Sequence, residues 1–131
     1  MFGSKRKIMI KLVEMDEKVT LHEQMEAKNV GPVILINKFN MKLEEVDHFL
    51  RAWAADAAYF KQQPGFIFTQ LHRDIGGSCV FVNYAIWEST ELYKRAFNNS
   101  EFQSLPEKYP ASTVASPHLF KKVAVPGICV D

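Results

Sequence analysis

One short run places three chemically useful groups close together. Val82-Asn83-Tyr84-Ala85-Ile86-Trp87-Glu88-Ser89-Thr90-Glu91-Leu92-Tyr93 carries an amide, an indole and a phenol. Its first half reads as a strand, and Ser89 is a natural cap for a helix that begins at once. Alternate residues of a strand share a face. Cys79, Phe81, Asn83, Ala85 and Trp87 therefore lie together, with Val80, Val82, Tyr84 and Ile86 behind them. A carboxamide among apolar neighbours needs partners for its donors and its acceptor. A buried indole N–H likewise wants an acceptor. Together they could hold a carbonyl, an oxyanion or a peroxide beside an aromatic ring. The plainer reading is an asparagine bonded to local backbone and a tryptophan and Tyr93 that merely pack.

Other candidates stand further off in sequence. His72 ends a preceding strand and could orient a substrate hydroxyl or take its proton near neutral pH. Otherwise it is an exposed strand-end histidine. Asn37 is a second interior amide, with a strand-end hydrogen bond as its plain role. Phe60 and Phe81 could wall a pocket, and Trp53 suits the core. His118 follows Pro117 in an expected loop. The catalytic set is thus Asn83, Trp87 and His72, with Tyr93, Asn37, Phe60 and Phe81 binding substrate. No metal is expected, because His22, His48, His72 and His118 are dispersed and Cys79 and Cys129 form no CxxC pair. Gly76-Gly77 marks a turn and makes no phosphate loop.

The elements that must position these groups follow from periodicity. Val33 to Phe39 is an apolar run of strand length. Val46, Phe49, Leu50, Trp53, Ala57 and Phe60 recur at helical spacing, with Glu44, Glu45, Asp47, Arg51, Asp56 and Lys61 opposite. Pro64-Gly65 stops that helix. Phe66–Leu71 and Cys79–Trp87 form a hairpin across Asp74-Ile75-Gly76-Gly77-Ser78. A helix follows Ser89, and Asn98-Asn99 breaks it. Ser100 and Gln103 predict a further short helix, and Leu119–Val125 supplies a last strand. The order β-α-β-β-α-β is the ferredoxin-like unit of an α+β fold. Its helix-free sheet face would expose apolar strands, so a homodimer packed sheet against sheet is expected.

The totals agree with one domain. The chain has 131 residues, 47% of them hydrophobic, and a net charge of +1. So even a balance argues against nucleic acid, and Lys5-Arg6-Lys7 is the one dense basic run. No stretch approaches the roughly 20 apolar residues of a membrane span. Ile8–Val13 is broken by Lys11 and too short for a secretory signal. A cytoplasmic setting is expected. Residues 1–31 read as an N-terminal extension or arm, with Ile8–Val13 a possible strand and Asp16–Asn29 a loop or exposed helix. Residues 32–125 form the domain and 126–131 a tail.

From Pro32 to Val125 the sequence resembles the antibiotic biosynthesis monooxygenase family of dimeric α+β barrel proteins. Val82–Ser89 with Tyr93 beyond it is similar to a segment of the cofactor-independent monooxygenases of aromatic polyketide biosynthesis. Those enzymes oxidise a phenolic polycyclic substrate to a quinone with O2. The resemblance implies that Asn83 and Trp87 bind the substrate oxygen or the oxygen adduct, that Tyr93 lines the same pocket, and that no cofactor is used. Pro64-Gly65-Phe66 and His72 also match the family pattern. The arginine those enzymes use beyond the second helix is missing from Phe102–Lys108, where Lys108 offers only a point charge. Haem-degrading relatives share a residue resembling Asn37, but their helix-two tryptophan and the histidine after it have no counterpart in Lys94-Arg95-Ala96-Phe97. The expected partners are a small aromatic substrate, O2 and a second copy of the chain. A non-oxidative binding protein or isomerase on the same scaffold is the alternative, and a pure interaction module a more distant one.

Overall fold

The structure, a computed structural model, describes residues 10–28 and 31–130. Lys5-Arg6-Lys7 and the start of Ile8–Val13 lie outside the described residues. The elements are β1 (Lys11–Leu12), α1 (Leu21–Met25), β2 (Val33–Asn40), α2 (Val46–Phe60), β3 (Phe66–Arg73), β4 (Val80–Trp87), α3 (Thr90–Phe97), α4 (Ser100–Gln103) and β5 (Val114–Phe120). The sheet runs β1-β5-β2-β4-β3. The four long strands are antiparallel neighbours, and β1 joins the β5 edge in parallel. The order β2-α2-β3-β4-α3-β5 is the ferredoxin-like unit anticipated from the sequence.

Local chemistry sets the boundaries. Gly65 follows α2 at φ +90°, and a Cβ there would stand 2.6 Å from Leu92. Both the backbone angle and the space demand glycine. Ser89 caps α3 by accepting from Leu92 N. A bulge between Phe66 and Phe68 leaves Ile67 unpaired in the register.

The helices cover one sheet face, where the core forms two clusters. One gathers Leu35, Tyr59, Trp87, Tyr93 and Phe102. The other gathers Phe39, Phe49, Phe81 and Ala115. The opposite face presents Ile34, Ile36, Val82, Tyr84 and Ile86, all only half-buried, together with exposed Phe68 and Phe120. Among the described residues, no helix is long and apolar enough to cross a membrane.

Four expectations are revised. The last strand is Val114–Phe120, not Leu119–Val125, and Lys121–Val125 is exposed and outside it. His118 accordingly lies in that strand rather than in a loop. The buried stripe of α2 is Val46, Phe49, Ala52, Asp56 and Tyr59, so Asp56 points inward and Leu50 outward. The helix within Asp16–Asn29 is α1, and it is only partly exposed: His22 and Glu23 face outward, while Leu21 and Met25 are buried in the first cluster.

Candidate functional site

A cavity of about 110 Å³ lies between the sheet and the helices, lined by members of both core clusters. A polar row across the sheet keeps the two clusters apart. Asn37 on β2 stands directly opposite Asn83 on β4 in the register. Asn83 Oδ1 accepts from the Thr69 hydroxyl at 2.6 Å. Asn37 Oδ1 accepts from Ser116 N–H at 3.1 Å. Both acceptors are thus spent on protein. Among the described residues, neither Nδ2 group meets a protein acceptor, and both asparagines line the cavity. A filled apolar core would not leave two amide donors in this state.

Trp87 forms the next wall. It is 1% exposed. Edge-on aromatic contacts fix its plane, with Phe60 at 5.7 Å, Phe66 at 5.5 Å and Tyr93 at 5.5 Å between ring centroids. Its Nε1–H also meets no protein acceptor among the described residues. The Tyr93 hydroxyl is in the same condition, and burial raises its pKa so that it stays protonated. Four hydrogen-bond donors therefore line one apolar chamber.

The structure adds two groups: Tyr109, and Asp56, which the predicted apolar stripe assigns to the outer face of α2. Asp56 and Tyr109 both line the cavity, and the Tyr109 hydroxyl donates to Asp56 Oδ2 at 2.8 Å. Burial, then the Asp56 charge and this hydrogen bond, hold the Tyr109 pKa well above its ordinary value. Asp56 sits two helical turns beyond Phe49 within an alanine-rich stretch of α2. That spacing was the signal available for it.

Of the seven predicted residues, the cavity gathers Asn83, Trp87, Tyr93, Asn37 and Phe60. It does not gather His72 or Phe81. Thr69 and Leu71 of β3 face the helices, so alternation turns His72 to the opposite sheet face, where it is exposed and lies 3.3 Å from Val82 O. Phe81 shares the inner face but packs on Phe49, 5.0 Å between centroids, inside the second cluster. The other described histidines also stand away from the cavity lining. Lys108 is no stand-in for an arginine there, because its Nζ donates to Leu105 O at 2.7 Å. Among the described residues, no group of three or more His, Cys, Asp or Glu is placed to hold a metal ion.

Fold and chamber together define a small α+β protein with a ferredoxin-like core and a pocket lined by aromatic side chains. The chain belongs to the antibiotic biosynthesis monooxygenase family, whose model matches residues 32–108. Solved structures share the fold. One is SnoaB, a cofactor-independent oxygenase from Streptomyces nogalater, 22% identical, with a TM-score of 0.60 over 75% of this chain and 99% of that one. Another, from Shewanella loihica PV-4 and described only as a candidate monooxygenase, is 30% identical over 72% of this chain and 97% of its own, with a TM-score of 0.61. A third is the heme-degrader MhuD from Mycobacterium tuberculosis, with two hemes bound in its active site. It is 26% identical over 73% of this chain and all of its own, with a TM-score of 0.57. No curated protein sequence matches significantly.

Proposed function

We propose that this protein is a cofactor-independent monooxygenase that oxidises a small phenolic compound with O2. The observation that carries the reading is the apolar chamber into which unspent amide and indole donors face. Such donors suit a negative oxygen that develops during reaction. In this scheme the phenolic O–H is broken, the proton goes to a carboxylate oxygen of Asp56, and the electron pair stays on the substrate. The anion then passes an electron to O2. Recombination forms a C–O bond, Asp56 returns its proton to the peroxide, and loss of water, which also takes the hydrogen on that ring carbon, leaves a quinone carbonyl. Asn83 and Trp87 hold the oxygen-centred anion, Asn37 and Tyr93 orient the ring, and Phe60 packs against it. Asp56 takes the role that the sequence alone suggested for His72.

The active species in this reading is a homodimer. Its support is the half-buried apolar sheet face of Ile34, Ile36, Val82, Tyr84 and Ile86.

Haem does not fit this chamber. No described histidine lines it to bind iron.

The test is oxygen uptake by purified, metal-free protein given phenol, 1-naphthol and anthrone. Uptake coupled to quinone formation, and lost in Asn83→Ala, supports the reading. Binding of an aromatic without any uptake would move the protein to the non-oxidative class of binders and isomerases on the same scaffold.

A further inference from the structure

The segment ahead of the family-matched region is part of the chamber. Ile10, Leu12 and Leu21 line the cavity, yet the family model begins at residue 32. The structural neighbours described above are covered over 97–100% of their length while matching only 72–75% of this chain. About a quarter of the chain is therefore additional to them, and part of the chamber wall lies outside the family-matched span.

That wall is fixed in place. Lys11 N–H donates to Thr113 O at 3.1 Å and Val13 N–H to Ala115 O at 2.9 Å, which makes β1 an added strand on the β5 edge. Leu21 N–H donates to the Glu14 carboxylate at 2.9 Å. Thr20 and Glu23 form a reciprocal capping box at the start of α1. The Gln24 amide grips the backbone of Leu119 from both sides, donating to its oxygen and accepting from its N–H, each at 2.9 Å. Lys94 Nζ pairs with Glu26 at 2.7 Å. Leu21 and Met25 are buried in the first cluster. A swinging arm would not hold so many directional bonds along so short a segment.

We infer that residues 10–25 are a built-in wall that limits the chamber to a single-ring phenol, with Leu12 and Leu21 as specificity-determining residues. The chamber's 110 Å³ is on the scale of one small ring; an apolar cavity of about 150 Å³ is known to admit benzene. Fused-ring substrates need more room, and the sheet floor and α2 cannot give it without breaking the core. Removing a leucine from the wall makes room while leaving every donor in place.

The inference rests on the aromatic-pocket reading above, but its test is binding rather than turnover. Phenol, 1-naphthol and anthrone are titrated into the full chain under argon, followed by the NMR shifts of the Trp53 and Trp87 indole N–H groups. Phenol binds the unmutated protein, with 1-naphthol and anthrone at least tenfold weaker. In Leu12→Ala and Leu21→Ala the 1-naphthol affinity rises at least tenfold and phenol changes little. Leu12→Phe, which keeps the strand and fills the chamber, weakens phenol at least tenfold; it and Leu12→Ala, both at a half-buried site, keep the test readable if Leu21→Ala fails to fold. Equal affinity for all three compounds in the unmutated protein, no phenol binding there, or no response to either change at Leu12 overturns the wall. Phenol binding in the expected order without oxygen uptake sinks the oxygenase reading and leaves the wall standing.

Discussion

Asn37 and Asn83 face each other across neighbouring antiparallel strands, and each has its side-chain oxygen taken by the protein. Thr69 holds one and the Ser116 backbone holds the other. The arrangement fixes which end of each amide meets the chamber: the nitrogen, a donor. Breaking it at a distance is therefore informative. In Thr69→Val the hydroxyl is lost, and Asn83 is free to turn its oxygen inward. Oxygen uptake is expected to fall by about tenfold or more with substrate affinity little changed. Asn83→Ala removes the donor altogether, and loss of a single oxyanion donor costs about 10²–10³ in kcat. Equal rates in Thr69→Val and the unmutated protein would show that amide orientation is irrelevant.

Trp87 separates packing from hydrogen bonding. Its ring is clasped by Phe60, Phe66 and Tyr93, whereas its N–H meets no described protein acceptor. Trp87→Phe keeps an aromatic ring in the clasp and deletes the donor. Trimming the buried ring is expected to cost about 1–3 kcal/mol of stability. If the indole donor acts on a developing oxyanion, kcat falls tenfold or more in the folded variant at saturating substrate. Steady-state kinetics on protein shown folded by circular dichroism makes the distinction. Unchanged kcat with a lower melting temperature would assign Trp87 to the core alone.

Asp56 is the carboxylate that lines the chamber, held by Tyr109. Asp56→Asn keeps the shape and removes the proton acceptor. A positioned base typically contributes about 10²–10⁴-fold, so uptake at neutral pH is expected to fall by that order. The loss should shrink as the pH approaches the substrate's own phenolic pKa, near 10, where ionised substrate needs no base. The pH–rate profile is the measurement. A loss of equal size at every pH would make Asp56 a structural residue.

How far the sequence revealed this site depends on the kind of signal each residue carried. Strand alternation placed Asn83 and Trp87 on the inner face, because an eight-residue strand with one apolar side has little freedom of register. The same rule, applied across the hairpin, turns His72 away; only its residue type suggests a base. As a residue type Asp56 carries no sign of burial, because carboxylates usually lie at the surface. The stripe of α2 is cut by several alanines, which let it rotate by a residue without an obvious break. Pro117, expected in a loop with His118, lies inside β5. Thr113 and Ala115 turn their carbonyls toward β1. Pro117 comes next in that alternation, so its missing N–H falls on the outer edge, beyond the two residues of β1, where no ladder bond is lost. Thr20-x-x-Glu23 was a legible capping box, obscured by the charged residues around it.

Tyr93 gives the chamber an alkaline signature. Burial raises its pKa above the ordinary value of 10.0. The folded chain therefore binds this proton more tightly than the unfolded chain does. The stabilisation is complete below about pH 10, and it is lost as the pH climbs beyond, since only the unfolded chain ionises there readily. Each pH unit in that window costs up to about 1.4 kcal/mol. Tyr93→Phe removes the group and keeps the ring. Its unfolding free energy should decline less steeply between pH 10 and 12 than that of the unmutated protein, as read by urea denaturation at each pH. Parallel slopes would mean that the phenol is solvated.

The outer sheet face makes a prediction independent of the chamber. Tyr84 and Ile86 sit at its centre on β4, flanked in register by Ile36 and Ile34 on β2 and by Gln70 and Phe68 on β3. Half-buried branched side chains across several strands are costly to leave in water at about 25 cal/mol per Å². A second copy of the same face, laid sheet to sheet, covers them with a self-complementary surface. Tyr84→Lys and Ile86→Lys would each bring a like charge to its own symmetry mate across such a seam. The unmutated chain is expected to sediment as a dimer and the double variant as a folded monomer. Should the unmutated chain sediment as a monomer, the face must be covered by something other than itself, and the proposed dimeric barrel is lost while the chamber chemistry is untouched.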